Sequence, residues 1–397
     1  MERVILHCDM NGFYASCELL DYPELRDKPM AVCGNPQSRH GIILAKNDLA
    51  KSYGIVTAET LWQAKKKCPD LQCVPPHMDK YTHYSKLINE IYLRYTDLVE
   101  PFSIDESWLD VTGSQNLFGS GKEIADQIRE TVKNELGLTL SAGVSYNKIF
   151  AKMGSEYKKP DATTVITKNN FKEILWPMDA GELFFVGKKT AERLKKLGIL
   201  TIGHIANENP KRLKALLGKS GEMLHQYANG YDNTPVNSFY NREKAKSVGK
   251  GMTFKRNLIG LSDSKTAIKA LSDNVGEILR KKKLKCNGVK LEIKDPSFKV
   301  ISRQKQLSSP SNISTEIYNA AMEIYKSSWP EFEPIRLISV TGINLTDKDE
   351  DEQLSIFMDS SVNRAKNEKL DKAIDSLKNK YGEDVISSGS KLKNDIF

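Results

Sequence analysis

Val4-Ile5-Leu6-His7-Cys8-Asp9 carries an apolar, strand-like run into a carboxylate, and ninety-six residues after Asp9 the segment Ser103-Ile104-Asp105-Glu106 does the same. Asp and Glu are seldom drawn into apolar surroundings without a partner, so acids at the ends of such runs imply something cationic nearby. Three carboxylates brought together from two strands suit a pair of Mg²⁺ ions. Oxygen ligands match the hard ion, and two ions about 3.5–4 Å apart can clamp the attacking and leaving oxygens of a phosphoryl displacement. Taken singly, each acid reads more simply as a surface group at a strand end. The surroundings must decide.

At 397 residues the chain is expected to form two to four domains. With 39% hydrophobic and 28% charged residues it has the composition of a soluble globular protein. No apolar stretch reaches transmembrane length, and Met1-Glu2-Arg3 does not open a signal peptide, so a cytoplasmic protein without a membrane partner is expected. Six cysteines, with no CxxC pair and no accompanying His spacing, read as reduced structural thiols rather than zinc ligands. The net charge of +8 is unevenly placed. Residues 242–345 hold twenty Lys and Arg against ten Asp and Glu, while residues 346–397 hold nine against twelve. A basic segment of about a hundred residues on a near-neutral body fits a module that tracks a polyanion, or else a solvated Lys-rich surface.

Strand and helix periods alternate over the first 165 residues, with strands at Val4–Cys8, Met30–Cys33, Gly41–Ala45 and Leu138–Val144 and helices at Tyr81–Leu98 and Gly121–Leu136. Pro101 is expected to interrupt the chain before a hairpin at Phe102–Val111. From Ile166 to Gly230 short helices punctuated by Gly and Pro replace the strands. Asn237–Ser247 reads as a linker, and beyond it Lys250–Leu345 has a βαββαβ order compact enough for its own domain. Thr346–Glu352 is acidic and read as disordered. A last helix, Val362–Tyr381, carries an apolar stripe at Leu370, Ala373, Ile374, Leu377 and Tyr381, which would dock on the body or on a partner.

Three segments carry a resemblance. Cys8-Asp9-Met10-Asn11-Gly12-Phe13-Tyr14-Ala15-Ser16-Cys17-Glu18, Ser103-Ile104-Asp105-Glu106-Ser107-Trp108-Leu109-Asp110 and Gly143-Val144-Ser145-Tyr146-Asn147-Lys148-Ile149-Phe150-Ala151-Lys152 resemble, in order and spacing, the palm motifs of Y-family DNA polymerases. The likeness is to the bacterial polymerase IV branch, and later segments extend it over essentially the whole chain. It implies an α+β multidomain right hand: palm at 1–18 and 74–165, fingers at 19–73, helical thumb at 166–236, linker at 237–247, βαββαβ little finger at 248–345 and a flexible tail at 346–397. The implied activity is template-directed, low-fidelity translesion synthesis without proofreading.

The resemblance also assigns residues. Asp9 and Asp105 would bridge two Mg²⁺ ions, Glu106 would ligate the ion at the primer 3′-OH, and the Met10 carbonyl would complete the nucleotide-side ion. Phe13 and Tyr14 would meet the dNTP, with Tyr14 as the steric gate against a 2′-hydroxyl. Read from the residues alone, two adjacent aromatics at a helix start are more often core. Lys159 falls at the triphosphate-contacting lysine, with Lys152 and Lys158 as solvated neighbours. Where related fingers carry Asn-Tyr-x-x-Arg, this chain has Asn47-Asp48-Leu49-Ala50-Lys51. Lys51 keeps a charge but loses the guanidinium fork, Asp48 drops out, and Lys46 is a second candidate of polymerase V-like form.

Val186-Gly187-Lys188-Lys189 resembles the thumb's helix–hairpin–helix grip on a DNA backbone, against the alternative of an ordinary amphipathic helix stopped at Gly198. In the basic domain Lys250, Lys255, Arg256, Lys290, Arg303 and Lys305 are candidates for phosphate contact, while Arg280-Lys281-Lys282-Lys283 reads as a solvent-exposed helix end. Gln353-Leu354-Ser355-Ile356-Phe357 resembles a sliding-clamp-binding motif, with Gln353, Leu354, Ile356 and Phe357 as its contacts. The implied partners are primer–template DNA, dNTP and the clamp, and the chain is expected to be a monomer. The alternatives are a catalytically inactive DNA- and clamp-binding scaffold, a palm-type cyclase and a helix–hairpin–helix nuclease. A scaffold would be expected to lack one of the three acids.

Overall fold

The computed structural model describes residues 2–34, 41–241, 244–347, 361–382, 385–386 and 395–396. The clamp-like pentamer and residues 348–352 of the acidic segment lie outside them, whereas Thr346 and Asp347, read as disordered, are paired with Lys285 and Leu284 in the last strand. The chain divides into two compact units, Met1–Arg242 and Glu243–Phe397. The strands among the described residues are β1 (Ile5–Met10), β2 (Met30–Cys33), β3 (Ile43–Lys46), β4 (Gln72–Val74), β5 (Val99–Pro101), β6 (Glu106–Asp110), β7 (Leu140–Ser145), β8 (Thr163–Val165), β9 (Ser247–Leu258), β10 (Leu284–Lys294), β11 (Val300–Ser311) and β12 (Ile335–Asp347).

In the first unit β1 is the middle of a five-stranded sheet of order β5-β6-β1-β7-β8. Its pairings with β6 and β7 are antiparallel, and β8 runs parallel to β7. Every residue of β1 is buried, because helices cover both faces. Side chains alternate across a strand, and the two faces are used differently. Leu6, Cys8 and Met10 join a core with Ile88, Ile91 and Tyr92 of the helix Met78–Tyr92 and Ile124, Ile128 and Val132 of the helix Gly121–Leu136. Ile5, His7 and Asp9 face the helix Lys148–Tyr157. That helix crosses in direct contact with β7: a Cβ on Gly143 would lie 1.8 Å from the Ala151 carbonyl oxygen. Only glycine permits this approach.

Pro101 is not a break before the hairpin but the last residue of its first strand. β5 is the sheet's edge, where a missing N–H is tolerated. A small three-stranded sheet, β3-β2-β4, lies between the segments of the larger one in sequence. The segment from Phe171 to Ala228 is helical, packed around Leu175, Leu194, Ile202, Leu213 and Leu224.

The second unit has the expected βαββαβ order, with an antiparallel sheet β11-β10-β12-β9 backed by the helices Gly260–Lys281 and Ser314–Ser328. The helix Ser361–Tyr381 packs here through its polar side. Arg280 donates to Asp371 at 2.9 Å and to Asp375 at 2.6 Å, and also to the Asn312 carbonyl and Ser314 Oγ. Lys378 reaches Glu277 at 2.7 Å, and Arg364 reaches Ser309 and the Pro310 carbonyl. Leu370, Leu377 and Tyr381 of the apolar stripe are exposed. Arg280 is therefore no solvated helix end. Two carboxylates from the last helix draw it inward, leaving its three lysine neighbours outside.

Candidate active site

β1 delivers Asp9 at its C-terminal end, and the antiparallel register places Glu106 directly across from it on β6. Paired residues of neighbouring strands share a face, so both carboxylates point to the side of the helix Lys148–Tyr157. Asp105 sits in the bend just before β6. Its carbonyl accepts from the Met10 N–H at 3.1 Å, and Oδ1 accepts from Ser103 Oγ at 2.6 Å. After β1 the chain turns at Gly12, whose φ of +53° is easiest for glycine and where a Cβ would come 3.3 Å from the Lys46 carbonyl. The turn starts the helix Phe13–Asp21, which brings Tyr14 back over the acids. The result is a cavity of about 440 Å³ onto which Asp9, Met10, Phe13, Tyr14, Lys46, Asp105, Glu106 and Lys159 open.

Lys159 Nζ lies 2.7 Å from Asp9 Oδ1 and 2.9 Å from Glu156 Oε1. Burial dominates at Asp9 and pushes its carboxyl up to about 7 in spite of Lys159. Burial likewise raises Asp105, with the neighbouring Glu106 charge adding to it. Glu106 behaves oppositely. Burial would raise it, but His7 and the Lys152 ammonium outweigh that and hold it at about 2. Lys152 Nζ lies 2.5 Å from Glu106 Oε2 and is the stronger of these two contacts, since His7 Nε2 at 3.3 Å is not aligned as a hydrogen bond.

The Tyr14 ring is stacked on Tyr81, with centroids 4.1 Å apart and planes 11° from parallel. Tyr81 is fully buried, and its hydroxyl donates to Glu18 Oε1 at 2.5 Å. Glu18 is itself buried and is met by Lys80 and by His77 Nδ1. Phe13 packs into the core beside them. The Tyr14 ring therefore has a fixed floor, built from the helix Met78–Tyr92.

Of Lys46 and Lys51, Lys46 is the one that opens onto the cavity. Lys51 lies on the exposed side of the short helix Asp48–Ser52 and acts on Lys46 through its charge. Lys152, expected to be solvated, is instead largely buried against Glu106, because Gly143 lets its helix lie close to the sheet. Lys158 is exposed. Gly187 caps the helix Lys188–Lys196, and Lys188 and Lys189 are exposed at its start, with Val186 half-buried before them.

In the second unit the register separates the six basic candidates. Lys250, Arg303 and Lys305 pair with Val340, Leu291 and Val289, which are core residues, so they lie at the margins of the helix-covered face. Arg256 is held by Asp263 and Asp395, and Lys305 by Glu323. Lys290, paired with Gln304 and Thr341, belongs to the open face, and Lys255 follows the core residue Phe254 on β9 and so points away from the helices. Gln353, Leu354, Ile356 and Phe357 lie outside the described residues. Sequence reasoning did not single out His7, Tyr81, Glu156 or the Lys152–Glu106 pair. Only His7 had a signal, since two residues before Asp9 on a strand means the same face.

Among the described residues no three His, Cys, Asp or Glu side chains already surround one point at coordinating distance. The donor chemistry nonetheless fits a hard divalent ion, with three carboxylates on one cavity and two of them raised by desolvation, a condition that a cation relieves.

Sequence patterns of the impB/mucB/samB family match residues 8–156, and those of the family's C-terminal domain match residues 245–356. The chain is 45% identical over 394 residues to DNA polymerase IV of Acetivibrio thermocellus, covering 99% of this chain and 98% of that one. It is 37% identical over 394 residues to DNA polymerase IV 1 of Bacillus subtilis, covering 99% and 94%. The chain belongs to the Y family of DNA polymerases. It is a DNA-directed DNA polymerase of the translesion class, similar throughout its length to DNA polymerase IV. A Y-family DNA polymerase chimera shares its fold with a TM-score of 0.76 at 23% identity, over 87% of this chain and 99% of that one. No helix among the described residues is long and apolar enough to cross a membrane.

Proposed function

We propose that this Y-family polymerase joins a dNTP to a primer 3′-OH on a DNA template with two Mg²⁺ ions. Asp9 and Asp105 would hold both ions, Glu106 would hold the one at the primer end, and the Met10 carbonyl would complete the nucleotide side. When bound, the ions neutralise charge at the attacking and departing oxygens. One observation carries the reading: all three acids, the gate ring of Tyr14 and the Lys159 ammonium open onto a single cavity. Lys159 stands on Asp9, within reach of anionic oxygens that enter there, and is the positive group left to a triphosphate once a cation takes over that carboxylate. Lys46 approaches from the opposite wall. Tyr14, flat on Tyr81, leaves no room for a 2′-hydroxyl.

In this reading the palm is residues 1–18 and 74–165, the fingers 19–73, the thumb 166–236 and the little finger 248–345. Val186, Gly187, Lys188 and Lys189 hold the DNA backbone without reading bases, as backbone N–H groups and lysines at a helix start do. Lys250, Lys255, Lys290 and Arg303 add contacts from the little finger, and binding falls steeply with salt. Arg256 drops out of this set because Asp263 and Asp395 already satisfy its guanidinium. Gln353, Leu354, Ile356 and Phe357 tether the chain to a sliding clamp. The protein works as a cytoplasmic monomer, and its open cavity tolerates damaged template bases at the expense of fidelity.

Primer extension on undamaged and lesion-bearing templates, with and without a clamp, tests this. Extension past the lesion is expected, with a stimulation by the clamp that is lost on Phe357→Ala. Absence of any extension in Mg²⁺ contradicts the reading.

A further inference from the structure

The short helix Leu61–Lys67 has two unlike sides, and its start is fixed by a capping box between Thr60 and Gln63. Leu61 and Ala64, with Cys68 just past its end, are buried with Ile43 and Ile55 in the core of the small sheet. Trp62, Lys65 and Lys66, at i, i+3 and i+4, share the outer side. Single exposed apolar residues are ordinary. An indole 66% exposed is not, since tryptophan is highly buried on average. Among the described residues the only ring contact of Trp62 is the Lys66 ammonium, 3.9 Å from its centroid. A cation over one face leaves the other face open.

This side lies next to the nucleotide cavity. Leu44, Ala45 and Lys46 of β3 open onto the cavity, and so does Thr57. From there the two stretches run outward as a ladder. The Ala58 N–H donates to the Ile43 carbonyl at 2.8 Å, the Ile43 N–H to the Glu59 carbonyl at 2.9 Å, and the Leu61 N–H to the Gly41 carbonyl at 2.9 Å, with Ile42 bridged to Thr60 between them. From Leu44 to Gly41 is about 10 Å of extended chain, so the helix begins about that far from the cavity wall. Ile42, exposed and on the same side of the strand as Leu44, carries apolar surface part of the way.

A DNA-directed polymerase has to let its template run on, unpaired, beyond the base being copied. Unpaired bases present free π-faces, and aromatic rings set among cationic side chains hold them without regard to sequence. We propose that Trp62, flanked by Lys65 and Lys66, is a stacking platform for the single-stranded template ahead of the nascent pair, within about three stacked nucleotides of the cavity at roughly 3.4 Å each. The open face of the indole takes a base, and the two lysines meet the phosphates beside it. This rests on the cavity being the polymerase site.

The test measures how binding depends on the overhang. Full-length protein, without divalent ion, is titrated by fluorescence anisotropy onto primer–template duplexes labelled far from the primer terminus, either blunt or with a short oligothymidine 5′ overhang on the template. The wild-type chain is expected to bind the overhang duplex about 5–100-fold more tightly than the blunt one, the range that one base–aromatic stack supplies. Trp62→Ala should lose most of that gain, with blunt-duplex binding and melting temperature held, and Trp62→Phe, which keeps a ring, should retain it. An overhang of abasic sites, which keeps the phosphates but not the faces, should bind the wild-type chain little better than the blunt duplex. Equal gain in wild type and Trp62→Ala overturns the inference. So does a wild-type chain indifferent to the overhang, or a Trp62→Ala protein that loses affinity for both duplexes alike. Primer extension in Mg²⁺ is read separately: absent wild-type extension counts against the polymerase site, whereas an active enzyme whose binding ignores the overhang counts against the platform alone.

Discussion

Tyr14 and Tyr81 lie ring on ring, 4.1 Å apart, and the lower ring is anchored through its hydroxyl to the buried Glu18. The ring proposed to exclude a ribose thus depends for its angle on a second residue sixty-seven positions away. Such a ring pair contributes about 0.5–1.5 kcal/mol beyond area burial, so Tyr81→Leu is expected to relax the preference for dNTP over rNTP by roughly 2–10-fold. Tyr14→Ala should relax it further. Single-nucleotide kcat/KM for each sugar measures this, and an unchanged ratio in Tyr81→Leu means that the stack does not orient the gate.

Lys46 and Lys51 are separable. Lys46 opens onto the cavity and its ammonium is lowered by burial and then by the Lys51 charge, whereas Lys51 is exposed and outside it. A hydrogen bond to a charged group is worth about 1.5–3 kcal/mol. Lys46→Ala should therefore raise the KM for dNTP by about 10–100-fold, with Lys51→Ala nearer to wild type. The opposite order would return the phosphate contact to Lys51.

Cysteine chemistry gives an independent check on the small sheet. A hydrogen bond with Cys33 lowers the Cys73 thiol to about 7, and Cys73 is the one cysteine not fully buried. Burial pushes Cys8, Cys17 and Cys286 up to about 12. Since the thiolate is the reactive form, iodoacetamide at pH 7.5 should label Cys73 first. Labelling of Cys8 at a similar rate, read by peptide mass spectrometry, would contradict the packing.

Arg280 is the keystone of the last helix. Its side chain is only 10% exposed and meets Asp371 and Asp375, themselves 12% and 18% exposed. Removing one partner of a buried pair strands the others, at a cost of about 3–5 kcal/mol when dry. With the carboxylates keeping some water, Arg280→Leu should destabilise the full chain by about 2–4 kcal/mol and speed proteolysis within Ser361–Tyr381. Unaltered urea melting and cleavage would refute the clamp.

Much of this was legible in the residues. The three acids stand out because they end apolar, strand-like runs, Tyr14 and Lys159 are marked only by the family resemblance, and the βαββαβ order follows from strand and helix periods. What stayed hidden depends on contacts between distant segments. Lys152 reaches Glu106 only because Gly143 lets a helix touch the sheet. Arg280 looks like its lysine neighbours until Asp371 and Asp375 arrive from ninety-odd residues away. Counting basic residues could not say which face each would take. Register and alternation along the strand decide that, and they divide Lys255 and Lys290 from Lys250, Arg303 and Lys305.

The most direct test of the account is single-turnover extension of a primed template in Mg²⁺ by the wild-type chain and by Asp105→Ala, with DNA binding measured on the same proteins. The account predicts wild-type extension by one nucleotide, and an Asp105→Ala protein that binds the same DNA within about twofold while its rate falls by roughly a thousandfold or more, several kcal/mol of transition-state charge stabilisation having been removed. Extension by Asp105→Ala at the wild-type rate would contradict it.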